Sequence, residues 1–478
     1  MKIIIAGAGE VGLHLSKLLS FESHDITLID DNDVSLKDGE NYLDIKVISG
    51  DASSISILNQ ANVKDSDLFI AVTSSESINL LTCCLAKKIG SKRTIGRITN
   101  PEFIDDPSID FRSIGIDEII SPENLASQEI SLLVNNSAFT NSHDFESGKL
   151  KMLAAIIQNN APFVGKTVQE SASVFPGIKF MPIAIERSGS QNAIIPRGDT
   201  VFMNDDHVYF ITCEDGVDEL YKLMGTKKHK VSNVMVLGGG RVGFRVSKEL
   251  SSQGYNVKLI ESNPEKAEII AEKLPNVLVL NLDGTRVDLL GEENLDEMDV
   301  FISTTGDSQK NIMSCLMAKS KNIKKTIALV DDANYFELSE SIGVDTLINK
   351  KLLAANEIFR FIRKGNILEL NKLNNMNAEV FEYLVSSKSK VVNKKIKDIK
   401  FPSSAIIGGI IRNDKGSIAL DDFMIKEGDK VLVCSFSQKL SFCTFLLILS
   451  LPEENSLPLK NFLNSLLVVK SSQVINFF

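Results

Sequence analysis

The chain has 478 residues, 43% of them apolar, and a formal net charge of -10; this is enough apolar material for several cores, and the length corresponds to about three ordinary domains. The acidic balance speaks against broad nucleic-acid binding, and six cysteines with no CxxC pair and no histidines at ligand spacing exclude a disulfide framework or a zinc centre. The longest apolar stretch near the C-terminus, 442–451, falls far short of the roughly 20 residues of a spanning helix, and Met1 runs directly into the first strand without a basic leader, so a cytoplasmic protein is expected.

The first predicted element is a strand at Lys2-Ile3-Ile4-Ile5-Ala6, a β-branched run suited to burial on both faces. It breaks into Gly7-Ala8-Gly9-Glu10-Val11-Gly12, and an apolar stripe at helical spacing (Val11, Leu15, Leu18, Leu19) follows. At such a strand-to-helix turn Gly7 permits the tight bend, Gly9 lets backbone approach a pyrophosphate, and Gly12 lets helix and strand pack closely. The phosphates would lie on the helix N-terminus, where unbonded N–H groups favour negative charge. Glycine turns also open α/β units that bind nothing, so context decides. Here Ile26-Thr27-Leu28-Ile29-Asp30 ends in an acid 18 residues after Gly12, where a dinucleotide-binding unit places the carboxylate that accepts the ribose hydroxyls. Asp31, Asn32 and Asp33 follow with no Arg nearby, which favours NAD or an adenine nucleotide over NADP.

Strands at 45–48, 67–72, 94–98 and 116–120 alternate with helical segments, so residues 1–135 are expected to form a doubly wound parallel sheet of Rossmann type. Its C-terminal strand ends would bring Gly50-Asp51, Thr73-Ser74 and Arg97 to the rim of the glycine loop. Two readings stay open for Asp51, a ligand contact or a helix cap, and two for Arg97, a ligand contact or a surface cation. From 136 to 228 a polar connector (Asn135-Asn136-Ser137, Asn141-Ser142-His143-Asp144), short strands at 178–185 and 208–211, and a turn at Ser188-Gly189-Ser190 predict a small α+β domain.

The pattern then repeats. Gly238-Gly239-Gly240-Arg241-Val242-Gly243 stands 231 positions after the first glycine loop, and Val257–Glu261 repeats the acidic strand end at the same offset. Further on, with one extra residue, Asp299–Ile302 matches Asp67–Ile70, Thr305 matches Thr73, Asn311 matches Asn79 and Cys315 matches Cys83. A cysteine recurring inside both helices reads as core, not redox. The layout is therefore a second Rossmann domain at 229–365, a second small domain at 366–440, where 425–433 echoes the earlier last turn and strand, and an unassigned apolar tail at 441–478.

Two such units in tandem, carrying Ser49-Gly50-Asp51-Ala52, Arg97-Ile98-Thr99-Asn100-Pro101-Glu102 and Ile195-Pro196-Arg197-Gly198-Asp199 between the two glycine loops, resemble the TrkA family of bacterial potassium-uptake regulators and their regulator-of-potassium-conductance modules. The resemblance spans residues 1 to about 435. It implies a nucleotide that regulates and does not donate hydride. It implies a homo-oligomeric ring docked on the cytoplasmic face of a potassium-translocating membrane subunit of TrkH/TrkG type, with NAD(H) or ATP/ADP occupancy altering transport. Carried onto this sequence, Gly7, Ala8, Gly9, Glu10, Val11 and Gly12 would hold the pyrophosphate, Asp30 the ribose, and Asp51, Thr73, Ser74 and Arg97 the rest of the ligand. Gly238, Gly239, Gly240, Arg241, Val242, Gly243 and Glu261 would repeat the first two roles. The second copy departs at Gly306 for Ser74, Leu329 for Arg97 and Leu282 for Gly50, with Arg241 in place of Glu10 expected to supply a phosphate-side charge.

The alternative is an NAD-dependent dehydrogenase, which needs an acid–base group facing the nicotinamide. The five histidines (His14, His24, His143, His207 and His229) are scattered, and the small domains offer no evident catalytic constellation.

Overall fold

The structure is a computed structural model. It describes residues 1–436 apart from 21–23, 34–35, 38–42, 105, 107, 138, 175–178, 188–192, 225–230, 285–291, 332–342, 363–366, 374–377 and 400. The turn expected at Ser188–Ser190 and the tail at 441–478 therefore lie outside the described residues.

The first lobe contains β1 (Lys2–Ala6), α1 (Glu10–Ser20), β2 (Asp25–Asp30), β3 (Lys46–Ser49), β4 (Leu68–Ala71), α2 (Glu76–Ile89), β5 (Arg93–Arg97), β6 (Glu118–Ile120) and α3 (Pro122–Asn135). Its six strands lie parallel in the order β3-β2-β1-β4-β5-β6, the doubly wound arrangement whose strand order reverses beside β1. The apolar runs seen in the sequence are the reason: Ile3, Ile5, Leu68 and Ile70 pack on one face of the sheet, Ile4, Ala6, Phe69 and Ala71 on the other, all buried.

A small antiparallel sheet follows, β7 (Asn141–Phe145), β8 (Leu150–Ile156), β9 (Phe180–Glu186) and β10 (His207–Thr212), in the order β7-β8-β10-β9. Asn141–Asp144, expected as part of a polar connector, is strand β7. The edge position explains the polar composition: β7 pairs with β8 alone, Asp144 meets Lys151 across the pair at 3.2 Å, and Asn136 Nδ2 donates to Ser142 Oγ.

The second lobe repeats the first with β11 (Asn233–Leu237), α4 (Arg241–Ser252), β12 (Asn256–Glu261), α5 (Pro264–Lys273), β13 (Val277–Asn281), β14 (Val300–Ser303), α6 (Ser308–Ser320), β15 (Lys325–Leu329), β16 (Thr346–Ile348) and α7 (Lys350–Ile362), strand order β13-β12-β11-β14-β15-β16. The second small sheet has five strands, β17 (Ile367–Lys372), β18 (Ala378–Leu384), β19 (Ala405–Arg412), β20 (Lys415–Ile418) and β21 (Lys430–Phe436).

The two halves exchange helices. The apolar face of α3 (Ala126, Ile130, Leu133 and Val134) packs on Val242, Val246 and Leu250 of α4, while Ala354, Ile358 and Ile362 of α7 pack on Val11, Leu15 and Leu19 of α1. Each buried Leu, Ile or Val is worth about 1.5–3 kcal/mol, so each seam fixes its helix on the opposite lobe. The small sheets also share a core, in which Leu150, Met152 and Ile211 join Val380, Ile411 and Leu432. Arg197, from the Ile-Pro-Arg-Gly-Asp segment, ties them by donating to the Pro402 and Ala405 carbonyls at 2.9 and 2.8 Å. Among the described residues no helix is long and apolar enough to cross a membrane.

Candidate nucleotide sites

At the C-terminal ends of β1, β2, β4 and β5 lies a cleft of about 410 Å³. It is lined by Gly7, Gly9, Glu10, Val11, Asp30, Asp51, Thr73, Ser74 and Arg97, which the parallel topology brings to one rim. Ala8 and Gly12 lie behind this surface. Gly12 is packing: a Cβ there would stand 1.9 Å from the Gly7 carbonyl oxygen, so the first turn of α1 rests directly on the loop. Gly7 has φ +112°, and a Cβ on it would meet the Thr73 amide at 2.8 Å. Gly9 has open space where a Cβ would go, so at this position the cleft, not the fold, wants glycine. The first turn of α1 aims its N–H groups here.

Asp30 is held ready to accept. Its Oδ2 takes the Ala8 amide at 2.5 Å and its Oδ1 the Asn32 amide at 2.8 Å, which leaves a lone pair on each oxygen for a diol. Asp51 accepts the Ser53 hydroxyl and amide at 2.7 and 2.8 Å, and these bonds hold its carboxyl below the usual range. The Thr73 loop is fixed from behind by Asn79, whose Oδ1 accepts the Thr73 amide and hydroxyl at 2.9 and 2.7 Å while its Nδ2 donates to the Thr73 and Arg97 carbonyls. Asn79 stood out in the sequence only as a repeat position. Arg97 lies 3.8 Å from the buried Glu123 of α3.

The lining residues that were not anticipated include two lysines from the other lobe. Lys350 and Lys351 come from the first turn of α7 in the second lobe, and Lys351 pairs with Glu10. Nothing local marks them; only the helix exchange brings a segment 341 residues away to the first glycine loop.

The second cleft, of about 340 Å³, is lined by Gly238, Gly240, Glu261, Leu282, Asp283, Thr305, Gly306 and two lysines, Lys266 and Lys310. Asn311 repeats the Asn79 bonds, accepting from the Thr305 amide and hydroxyl at 2.9 and 2.6 Å. Gly243 repeats the Gly12 contact at 1.9 Å from the Gly238 oxygen, Val242 is buried, and Gly239 donates to Glu261 at 3.1 Å. Arg241 is placed differently from its expected role. Its guanidinium donates to the Thr99 hydroxyl of the first lobe at 2.8 Å and is not among the cleft's lining residues. The thiols of Cys83 and Cys315 are buried against the Ile95 and Ile327 carbonyls and are pushed up by burial. They are core residues. No cluster of metal-ligating side chains occurs among the described residues.

Two Rossmann lobes, each with its cleft at the switch point of the sheet and each followed by a small antiparallel domain, define a chain of two Rossmann modules in tandem. The TrkA-N domain family matches residues 3–122 and 234–350, and the TrkA-C domain family residues 152–225 and 380–440. The chain is 31% identical over 451 residues to Trk system potassium uptake protein TrkA homolog 1 of Methanosarcina mazei, covering 92% of this chain and 98% of the relative. It is 32% identical to Trk system potassium uptake protein TrkA of Vibrio alginolyticus, covering 92% and 96%. The chain belongs to the TrkA family. Among solved structures the fold is similar to the GsuK channel bound to NAD (TM-score 0.59, 17% identity, 93% of this chain and 78% of that one) and to the GsuK RCK domain (TM-score 0.58, 17% identity, 93% and 94%).

Proposed function

We propose that this chain is the nucleotide-binding regulatory subunit of a potassium uptake system, working as a homo-oligomer on the cytoplasmic face of a potassium-translocating membrane protein and gating it in response to NAD(H) or ATP/ADP. The observation that carries this reading is that the first cleft is walled by both halves of the chain: the glycine loop and Asp30 from one lobe, Lys350 and Lys351 from the other. An occupant touches both lobes at once, so its binding energy differs between lobe arrangements, which is the condition for a ligand to shift a conformational equilibrium. Couplings of this kind are typically ~1–3 kcal/mol. The kinship with TrkA proteins and the fold shared with an NAD-bound channel support the choice of cargo and ligand.

The test is calorimetric titration of the wild type, Gly9→Val and Gly240→Val with NAD, NADH, ATP and ADP. Saturable binding without turnover, lost cleft by cleft in the two variants, together with nucleotide-dependent potassium flux after reconstitution with the membrane subunit, is expected. Substrate-dependent oxidation of NADH by the pure protein would instead establish the dehydrogenase alternative.

A further inference from the structure

The second strand of each lobe ends in an acid, and the two acids differ in what already occupies them. Asp30 accepts two backbone amides, one on each oxygen. Glu261 accepts two backbone amides as well, from Gly239 on Oε2 at 3.1 Å and Asn263 on Oε1 at 3.0 Å, but Oε2 also holds the Lys266 ammonium at 2.7 Å. Burial pushes the Glu261 carboxyl up; the Asn263 amide, Lys266 and the Gly239 amide outweigh it and hold the group below its ordinary range.

Lys266 is positioned by its helix. Asn263 caps α5 by accepting the Lys266 amide at 2.9 Å, and α5 leans so far over the loop that a Cβ on Gly239 would stand 2.4 Å from Ile270 Cδ1. The ammonium thereby takes one of the lone pairs that a ribose diol needs, in a cleft that Lys266 itself lines. The repeat position in the first lobe is Ser35, whose side chain carries no charge to do the same.

We propose that Lys266 is a tethered competitor for the adenosine ribose at the second cleft: a nucleotide with free ribose hydroxyls engages Glu261 only after the Lys266 side chain has swung away. The Glu261 side chain is 9% exposed and that of Lys266 46%, so the carboxylate stays fixed while the lysine has room to leave. A half-exposed ion pair holds weakly, and the competition lowers affinity by a factor of about two to five. The two clefts consequently fill in sequence as nucleotide rises, the first before the second. This inference rests on the reading of the clefts as nucleotide sites.

The test uses the full-length protein with Asp30→Ala, which removes the ribose acceptor of the first cleft, and titrates NAD and NADP calorimetrically. Binding is assigned to the second cleft by its loss in Gly240→Val. Lys266→Met keeps the aliphatic stem and removes the charge; NAD should then bind about two- to five-fold more tightly, while Lys266→Arg, which keeps a competing cation, should show no gain. Melting of each variant reports that the fold is intact. Unchanged or weaker NAD binding in Lys266→Met overturns the proposal, as does loss of NADP binding in that variant, which would make Lys266 a contact for a 2′-phosphate. If the otherwise wild-type chain binds nucleotide in neither cleft, the reading of the sites falls and the inference with it. If the first cleft binds and the second stays empty in every variant, the inference alone falls.

Discussion

Lys351, in the first turn of the helix that closes the second lobe, pairs with Glu10, the residue that opens the first helix of the first lobe. The pair is an inter-lobe bond within the wall of the first cleft, and its lysine and the neighbouring Lys350 are only partly exposed, 22% and 24%. A ligand that ends in a di- or triphosphate brings charge to both lysines, which are otherwise engaged by Glu10 and Asp331. Charge-assisted hydrogen bonds are worth about 1.5–3 kcal/mol each. Replacing Lys351 with Ala should weaken ATP at the first cleft by roughly 10- to 100-fold on the same scale and NAD by less. Glu10→Gln, which releases Lys351, should strengthen ATP. Titration of the three proteins with both nucleotides decides it.

The glycines of the first loop separate folding from binding. Gly12→Ala drives a methyl group into the Gly7 carbonyl, 1.9 Å away, where backbone has to move. Overpacking of this kind costs about 1–3 kcal/mol, and more where backbone cannot yield, so its melting temperature should fall. Gly9→Val puts its side chain into open cleft; stability should stay within about 0.5 kcal/mol while nucleotide binding is lost. Thermal melts with and without NAD distinguish the two.

Elements written in consecutive residues were readable without coordinates. The β-branched runs, the glycine loops, the acids at 30 and 261 and the duplication follow from local pattern, and parallel topology then carries Asp51, Thr73 and Arg97 to one rim. What could not be read depends on segments that meet only in three dimensions. Lys350 and Lys351 reach the first cleft because α7 leaves its own sheet for α1. Arg241, interpreted by its place in the loop, answers instead to Thr99 across the lobe seam. The sequence 141–144 looks like a linker because an edge strand tolerates polar residues that a central strand does not.

The small domains share a device that was also invisible in sequence. The Asp205-Asp206-His207 and Gly428-Asp429-Lys430 segments look like simple turns, but Asp206 and Asp429, 0% and 1% exposed, are each gripped by an arginine from a neighbouring strand end. Arg187 donates from Nε and Nη2 at 2.8 and 2.9 Å, and the Met203 amide adds a third bond at 2.8 Å. Removing one partner of a buried pair leaves an uncompensated charge and costs about 3–5 kcal/mol. Arg187→Met should be destabilised by that order in urea unfolding, and adding Asp206→Asn should recover part of the loss. Equal stability of the single and double variants would show that the charge is not what the arginine compensates.

Lys325 links stability to pH at the join between the first lobe and its small domain. Its side chain, 3% exposed on β15, donates to the Phe139 carbonyl at 2.7 Å, in the segment between α3 and β7. Burial lowers the ammonium from 10.5 to about 8; Asp345 opposes the shift and Lys319, itself paired with Asp345 at 2.5 Å, adds to it. A base whose folded value is depressed binds fewer protons in the native state than in the unfolded state between the two values. Stability from this group therefore rises with pH from about 8 to 10.5, and the penalty is fully present below pH 8. The gain across the window is on the order of 3 kcal/mol, and the neutral amine still donates to Phe139. Urea unfolding at intervals from pH 7.5 to 10.5 should show the wild type gaining on Lys325→Met as the pH rises, whereas parallel profiles would mean that Lys325 does not titrate in this window.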